Sequence, residues 1–484
     1  MEPISCLAYL LVAVLHLFAA ISHDDCRLVL DFLRIMLKLA LHNSPNLDAV
    51  VIPPSIPSDV RTVIDALRIN PVAKVHVCCP KCFATYSFNP DDPRSYPEFC
   101  DYQKTPDSQQ CGRRLRTAKS NGNEVPTRRY FYQDFHHWVG RLYCRPDIEE
   151  HLNKNPIKDG IPREMTDMWD GSVLRELLGP DGLRYMDKSD AEGRLVFGLN
   201  MDGFNPYGNR QSGKKVSIGG VYMVCLNLPP AIRYKPENVF LVGIIPGPHE
   251  PSVEEVNHIL RPLVDDLLVS WSPGIFLSQT PKYPAGRSVI CALIPLICDL
   301  PSARRVAGLG SHSSTFFCSE CNLPVQDIDD LNTDNWPART REDHCTHSKA
   351  WRDARSEAER ARVFEAHGIR WSELLRLPYW DPTKFVVIDS MHAFYLRIFH
   401  RHIRDIWGMD ISIEDGESEG VHFSTTLSEG DIEKAQQVFR KGSLAKLQKL
   451  STKALKYLCF ETGLHYGARR NTLLKALQNH VCSC

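Results

Sequence analysis

Asp202 closes an apolar run. The stretch RLVFGLNMDGFNPYGNR, residues 194–210, is apolar from Leu195 to Met201, with Gly198 and Asn200 as the only breaks, and then meets this acid and turns at once into Gly, Asn and Pro. RSVICALIPLICDLP behaves the same way and ends in Asp299. A carboxylate at the end of a buried strand is costly unless something pairs with it. A divalent cation is one such partner. Mg2+ favours hard oxygen ligands and is held by one or two carboxylates, with water and substrate phosphate completing its shell. Two such ions, Mg2+ or Mn2+, can clamp the attacking and leaving oxygens of a phosphodiester transfer. The plainer alternative is that each Asp is a turn residue or a helix N-cap.

The thiols offer a second chemistry. Seventeen cysteines, an odd number with several in C-x-x-C pairs, fit reduced metal-binding thiols better than a secreted disulfide framework. In CCPKCFATYSFNPDDPRSYPEFCDYQKTPDSQQCGRRL, Cys79 and Cys82 form a tight knuckle, and Cys100 and Cys111 follow. Four thiolates can close a tetrahedral Zn2+ site, and this loop-rich segment has little apolar core of its own to replace one. Cys78 is the alternative to Cys79 in register. The second set is Cys318 and Cys321 in FFCSEC, with His344 and His347 in HCTH. His392 with His400 or His402 is the competing closure of that Cys2His2 set. The plainer role for His392 is a histidine hydrogen-bonded to Asp389 or to backbone.

Net charge is −1, so any nucleic-acid contact must come from local basic patches. The segment SLAKLQKLSTKALKYLCFETGLHYGARRNTLLKALQNH supplies one. Its leucines recur at helical spacing on both sides of GLHYGARR, and it resembles a SAP motif, a helix–loop–helix DNA-binding module. Lys446, Lys449, Lys453, Lys456, Arg469, Arg470 and Lys475 would form its basic face. Phosphate contacts of this kind are salt-sensitive and weakly sequence-specific. An ordinary helical hairpin with a solvated lysine face is the bland alternative.

Three segments in fixed order, MDGFNPYGNRQSGKKVSIGGVYMVCLNLP, PLICDLPSARRVAGLGSHSSTFFCSEC and LPYWDPTKFVVIDSMHAFYL, resemble the transposases of CACTA-type (En/Spm-like) DNA transposons, in particular the fungal ones. The resemblance runs from the Cys-rich segment to about residue 409. It implies an RNase H-like, DDE-type core working with Mg2+. Its first acid would be Asp202 in D-G-F-N-P, and its second Asp299 in DLPSARR. A D-x-M-H motif, here Asp389 to His392, would lie near the active site. The resemblance implies DNA partners (transposon terminal repeats and target DNA), a possible homo-oligomer, no membrane association and a nuclear location. The family's third acid is a Glu well downstream of D-x-M-H. EDGESEGV offers Glu414, Glu417 and Glu419 without a helix-and-core context, so the expectation is a missing Glu and a C-terminally truncated copy. Two functions stay open: phosphodiester hydrolysis and strand transfer at transposon ends, or DNA and zinc binding by a non-catalytic remnant.

The elements that must position these residues follow from the hydrophobic period. With 484 residues, 43% of them hydrophobic, the chain is long enough for two to four units. Residues 1–74 read as helices and a connector; 5–20 are a packed helix rather than a signal peptide, since Glu2 precedes the apolar run and no Lys or Arg does. A zinc-ribbon-like segment covers 75–120, and 126–190 reads as mostly helical. Three β-rich runs, a helix with a Ser252/Glu255 capping box, and another strand make 191–310 the first part of a mixed α/β core. A Cys/His insert at 311–375 precedes the return of the core at 376–409, and a small helical unit occupies 431–484.

Overall fold

The computed structural model describes residues 3–42, 56–92, 95–120, 122–158, 160, 163–205, 217–408, 427–440, 444–462, 464 and 470–483. The chain divides into two compact units, Met1–His400 and Arg401–Cys484.

Three helices open the first unit: α1 (Pro3–Leu17), α2 (His23–His42) and α3 (Val60–Ala66). They bury Val12, Leu30 and Val63 in a cluster of their own. No helix of the described residues is long and apolar enough to cross a membrane.

The strands are β1 (Ala73–Cys78), β2 (Thr85–Ser87), β3 (Arg116–Ala118), β4 (Glu124–Pro126), β5 (Arg129–Gln133), β6 (Gly193–Phe204), β7 (Ile218–Cys225), β8 (Val239–Ile245), β9 (Ile275–Leu277), β10 (Arg287–Cys298) and β11 (Val386–Ile388). Among the described residues, nine form one sheet in the order β11-β10-β6-β7-β8-β5-β1-β2, with β9 on β10; β3 and β4 pair separately. β6, β10 and β11 run parallel, and the strands from β6 through β7, β8, β5 and β1 to β2 alternate in direction. The parallel strands read as continuous apolar runs because both of their faces are covered. In β6, every residue from Gly193 to Leu199 is buried. The segment read as mostly helical opens instead with β5. RYFYQ alternates exposed and buried positions, a strand period, and sends Tyr130 and Tyr132 inward.

Two devices fix β6 against its neighbours. Asn227 bonds both to the Val196 N–H (2.8 Å) and to the Arg194 carbonyl (3.0 Å). The Tyr185 hydroxyl lies 2.9 Å from the Leu195 carbonyl and 3.0 Å from that of Ile290, spanning β6 and β10. Helix α4 (Phe135–Tyr143), N-capped by Asp134, covers one face. Its Phe135 ring meets both Phe197 and Phe240 at 5.3 Å. On α5 (Val256–Trp271) the Ser252/Glu255 capping box is present: the Ser252 N–H donates to Glu255 and the Glu255 N–H to Ser252 Oγ. His258 of α5 is buried edge-on against Tyr102, with ring centroids 4.5 Å apart.

Phe197 carries the centre of this core, so Phe197→Ala should cost about 3–5 kcal/mol. Urea denaturation checks it, and a loss below about 1 kcal/mol would contradict the packing. His258 supplies a pH test. Burial, helped by the Arg261 charge and opposed by Glu373, pushes its imidazole down to about 4. The unfolded chain therefore binds the extra proton first, and folding stability should fall as pH drops from about 6.5 to about 4. The loss is on the order of 3 kcal/mol across that window. His258→Gln should flatten that part of the curve measured by denaturation at each pH.

Candidate functional site

Two constellations dominate the first unit. At the first, Cys79, Cys82, Cys100 and Cys111 bring their sulfur atoms within 4.8 Å of one another. Cys79 and Cys111 stand 3.7 Å apart, Cys82 and Cys100 3.5 Å. A tetrahedron with Zn–S bonds of ~2.3 Å has sulfur–sulfur edges of ~3.8 Å, so these spacings suit a metal such as zinc. Local structure aims the thiols. Lys81 donates its N–H to Cys79 Sγ at 3.4 Å, forming the knuckle. Phe83 takes a positive φ of 57° and returns its N–H to the Cys79 carbonyl. Gly112, at φ 64°, turns the chain after Cys111 and donates to the Cys100 carbonyl. Hydrogen bonds from the Cys100 and Cys82 thiols hold the Cys79 thiol well below its usual range. Cys78 is different. Burial pushes its thiol up to about 11, against the Arg128 charge, and its sulfur faces the Phe83 carbonyl. The Cys79 register is the one the fold brings together.

This centre is tied to the sheet. β1 delivers Cys78 and Cys79, and Arg128 bonds to the Cys79 carbonyl and, at 3.4 Å, to that of Gly247 beyond β8. Thr85 bonds to the His258 carbonyl on α5. Fifteen cysteines of the described residues are free thiols.

The second constellation is the carboxyl edge of the parallel strands. Leu199 pairs with Leu296, and three residues further along each strand lie Asp202 and Asp299. Cys298 pairs with Ile388, and the next residue on each strand is Asp299 and Asp389. Asp202 lies three residues past the last β6–β10 pair, and Asp299 and Asp389 one past the last β10–β11 pair, so the three carboxylates gather at one end of adjacent strands without all meeting within 4.8 Å. The Cys298 thiol lies among them. Burial pushes it up to about 12, and the Asp299, Asp202 and Asp389 charges add to that.

Each acid has local work. Asp202 is exposed and accepts the Gly203 N–H at 2.8 Å. Asp299 caps α6 (Leu300–Ala307), accepting the Ser302 N–H at 2.9 Å. Asp389 Oδ2 sits 2.6 Å from His392 Nδ1. Desolvation raises the Asp389 pKa, but the bonds from His392 and the Met391 and His392 N–H groups outweigh it and leave the carboxyl below its ordinary value. Sequence reasoning missed Glu250. It sits in a small pocket with Asp202, paired to Arg305 at 2.8 Å and bonded to Ser217. It follows β8 in a polar loop, and only the sheet order brings that loop beside β6. Among the described residues, the four cysteines are the only group of three or more metal-ligating side chains that meets within 4.8 Å. Glu414, Glu417 and Glu419 lie outside the described residues.

The Cys318/Cys321 set forms a second knuckle, in which Glu320 donates its N–H to Cys318 Sγ at 3.4 Å. The electrostatics place Arg339 near both thiols, and burial lowers its pKa. His344, on α7 (Arg341–Asp353), is fully buried, and neither ring nitrogen has a hydrogen-bond partner. Burial, then the Arg339 and His347 charges, push it down to about 3. His347 stacks on His367, a residue sequence reasoning passed over, with centroids 3.5 Å apart. His392 turns to Asp389, and His402 packs edge-on against Trp407.

The second unit holds α8 (Glu429–Arg440), α9 (Thr452–Glu461) and α10 (Arg470–Ser483) around Leu447, Leu455, Leu458, Leu473 and Leu477. Lys446, Lys449, Lys453 and Lys475 are exposed, and Lys456 is half-buried. Lys434, Lys446 and Lys449 line a groove of roughly 450 Å³, together with Asp431. Arg470 braces the unit by bonding to the Gln448 carbonyl and to Thr452. Arg469 lies outside the described residues.

Residues 184–358 match the family model described as Transposase family tnp2. That span holds Asp202, Asp299 and the Cys318/Cys321 knuckle, and supports a transposase-like function; the four-cysteine centre, Asp389 and His392 lie outside it. The search of curated proteins finds no match.

Elemental analysis of the purified full chain should find zinc at the four-cysteine centre. Cys82→Ala should remove one equivalent and Cys78→Ala none. Equal loss from both would mean the sulfur register is wrong.

Proposed function

We propose that the protein is a DNA transposase-like enzyme of the CACTA (En/Spm) type, acting on phosphodiesters at transposon ends through an RNase H-like core. The single observation that carries this reading is the gathering of Asp202, Asp299 and Asp389 at the same end of three adjacent parallel strands, two of the three inside the family-matched segment. The strand order supports the core assignment: an antiparallel meander, β8-β7-β6, continues into two strands parallel to β6, namely β10 and β11. Asp202 and Asp299 are the residues that would hold Mg2+ or Mn2+, their oxygens matching the hard donors these ions prefer. When bound, such ions stabilise the attacking and leaving oxygens of an in-line phosphoryl transfer. Asp389 and His392 stand beside this edge as a hydrogen-bonded pair that can hold a proton near the reacting phosphate.

DNA would be gripped elsewhere. The exposed lysines of the second unit suit phosphate contacts, and the SAP-like reading of that unit rests on them together with the leucine core. Zinc at the first centre would staple the Cys-rich segment onto the sheet, and a second zinc would use Cys318 and Cys321 with His344 and His347. The target is nuclear DNA, and the working form is an oligomer.

A second reading, a DNA- and zinc-binding remnant without catalysis, has its own observation. Asp299 already serves as a helix cap, and no third acid joins Asp202 and Asp299 in a ligand cluster among the described residues.

The test is nicking of candidate terminal-repeat DNA by the full chain in Mg2+ or Mn2+. Asp202→Ala and Asp299→Ala should each cost about two to three orders of magnitude in rate while DNA binding persists. Lys446→Glu with Lys449→Glu should weaken binding and flatten its salt dependence. Intact binding without cleavage by the unsubstituted chain would select the remnant.

A further inference from the structure

We propose that α2, with α1 beside it, is a homodimerisation surface on which a second copy of this chain packs antiparallel. The observation is a pair of helices that are apolar on both sides. α2 buries Cys26 and Leu30 against α1 and α3, with Leu33 and Leu37 partly covered. On its opposite side Leu28, Phe32, Ile35 and Leu39 are exposed, Leu28 by 68% and Phe32 by 64%. Their spacing of four, three and four residues is a coiled-coil seam. α1 carries no Asp, Glu, Lys or Arg, and shows Leu7, Leu11 and Val14 to solvent, with Phe18 exposed just past its end. A helix apolar all round belongs in an interior, and an exposed apolar patch of this extent marks an interaction site.

Charge identifies the occupant. In α2, Asp24 and Asp25 are followed by Arg27, which pairs within the chain with Asp24 and Asp59, and Asp31 then precedes Arg34 and Lys38. Laid antiparallel about the middle of α2, Leu28 meets the second copy's Leu39, and Phe32 meets its Ile35. Asp31 then flanks the seam beside the second copy's Lys38, and the two-fold axis repeats the pair. A membrane-surface helix instead carries a basic polar face, which these acids interrupt. At 15 residues, α1 is ~22 Å long, short of the ~30 Å hydrocarbon core.

This inference does not depend on the DNA-cleavage reading, because it is read from the mass of the full chain in solution. Sedimentation velocity across a concentration series should show a dimer. Phe32→Glu with Ile35→Glu should weaken it by at least about thirtyfold, with helix content and bound zinc unchanged. Asp31→Lys sets like charges at both ends of the seam and should weaken it about tenfold, and adding Lys38→Asp should restore it. The in-chain pair of Asp31 with Arg34 is solvent-exposed and contributes little to folding, so Asp31→Lys leaves a folded chain even if the glutamates do not. A wild-type chain that is monomeric throughout, or a dimer indifferent to these substitutions, overturns the proposal. So does wild-type binding to phosphatidylcholine vesicles that the double glutamate abolishes, since the face would then be a lipid surface.

Discussion

The pairing of β6 with β10 sets the position of every acid at the strand edge. The pairing is parallel and carries one irregularity, between Leu293 and Leu296. Phe197 pairs with Leu293 and Leu199 with Leu296, so β10 spends one more residue than β6 over this interval. The extra residue falls at Ile294 and Pro295, and proline within a sheet is confined to edges and bulges because it cannot donate to the ladder. Without that residue, Cys298 would stand level with Asp202. With it, Asp299 does. A one-residue slip also turns side chains to the opposite face. A bulge in the middle of a strand thus decides which group shares the edge with Asp202, and β11 inherits the phase, bringing Asp389 level as well.

The same sheet supports the thiol centre. β1 ends in the knuckle, and β5 links it to β8, so the four-cysteine segment is an extension of the sheet that carries the acids. Arg128 and the contacts of Tyr102 and Thr85 with His258 hold it down on two sides. Contrary to the expectation of little apolar core, the segment buries Val77, Ala84, Tyr96 and Leu115 around the four thiols, so a small apolar cluster holds its shape together with a thiol set that could close on a metal. The buried His344, with two unpartnered nitrogens beside Arg339, shows the opposite condition. Buried polar atoms without partners are rare and costly, so this packing works against the stability of the first unit.

Much of this was legible from residue pattern. The runs at 194–204, 218–225 and 239–245 are strands because they are apolar, β-rich and punctuated by Gly, Pro and Asn. The capping box at Ser252 and Glu255 was readable for the same reason, since its bonds span three residues. Cys79, Cys82, Cys100 and Cys111 were readable from the tight C-x-x-C knuckle and the two cysteines that follow it, although Cys100 and Cys111 stand further apart than a usual knuckle pair. Strand β5 was not: RRYFYQDFHHWVGRLY holds a strand and a helix back to back, and aromatic residues serve both. Glu250 and His367 escaped because their meaning lies in what the fold sets beside them.

By itself, the amino-acid sequence determined the local periods, the turns, and which residue types stand at the ends of apolar runs. These depend on neighbours a few positions away, and the chain carries that information directly. Only the tertiary structure decided the phase between strands, the choice of Cys79 over Cys78, and the pairing of Asp389 with His392 rather than of His392 with thiols. Those outcomes depend on a bulge, a backbone turn at positive φ, and the competition of buried groups for partners, which no local pattern records.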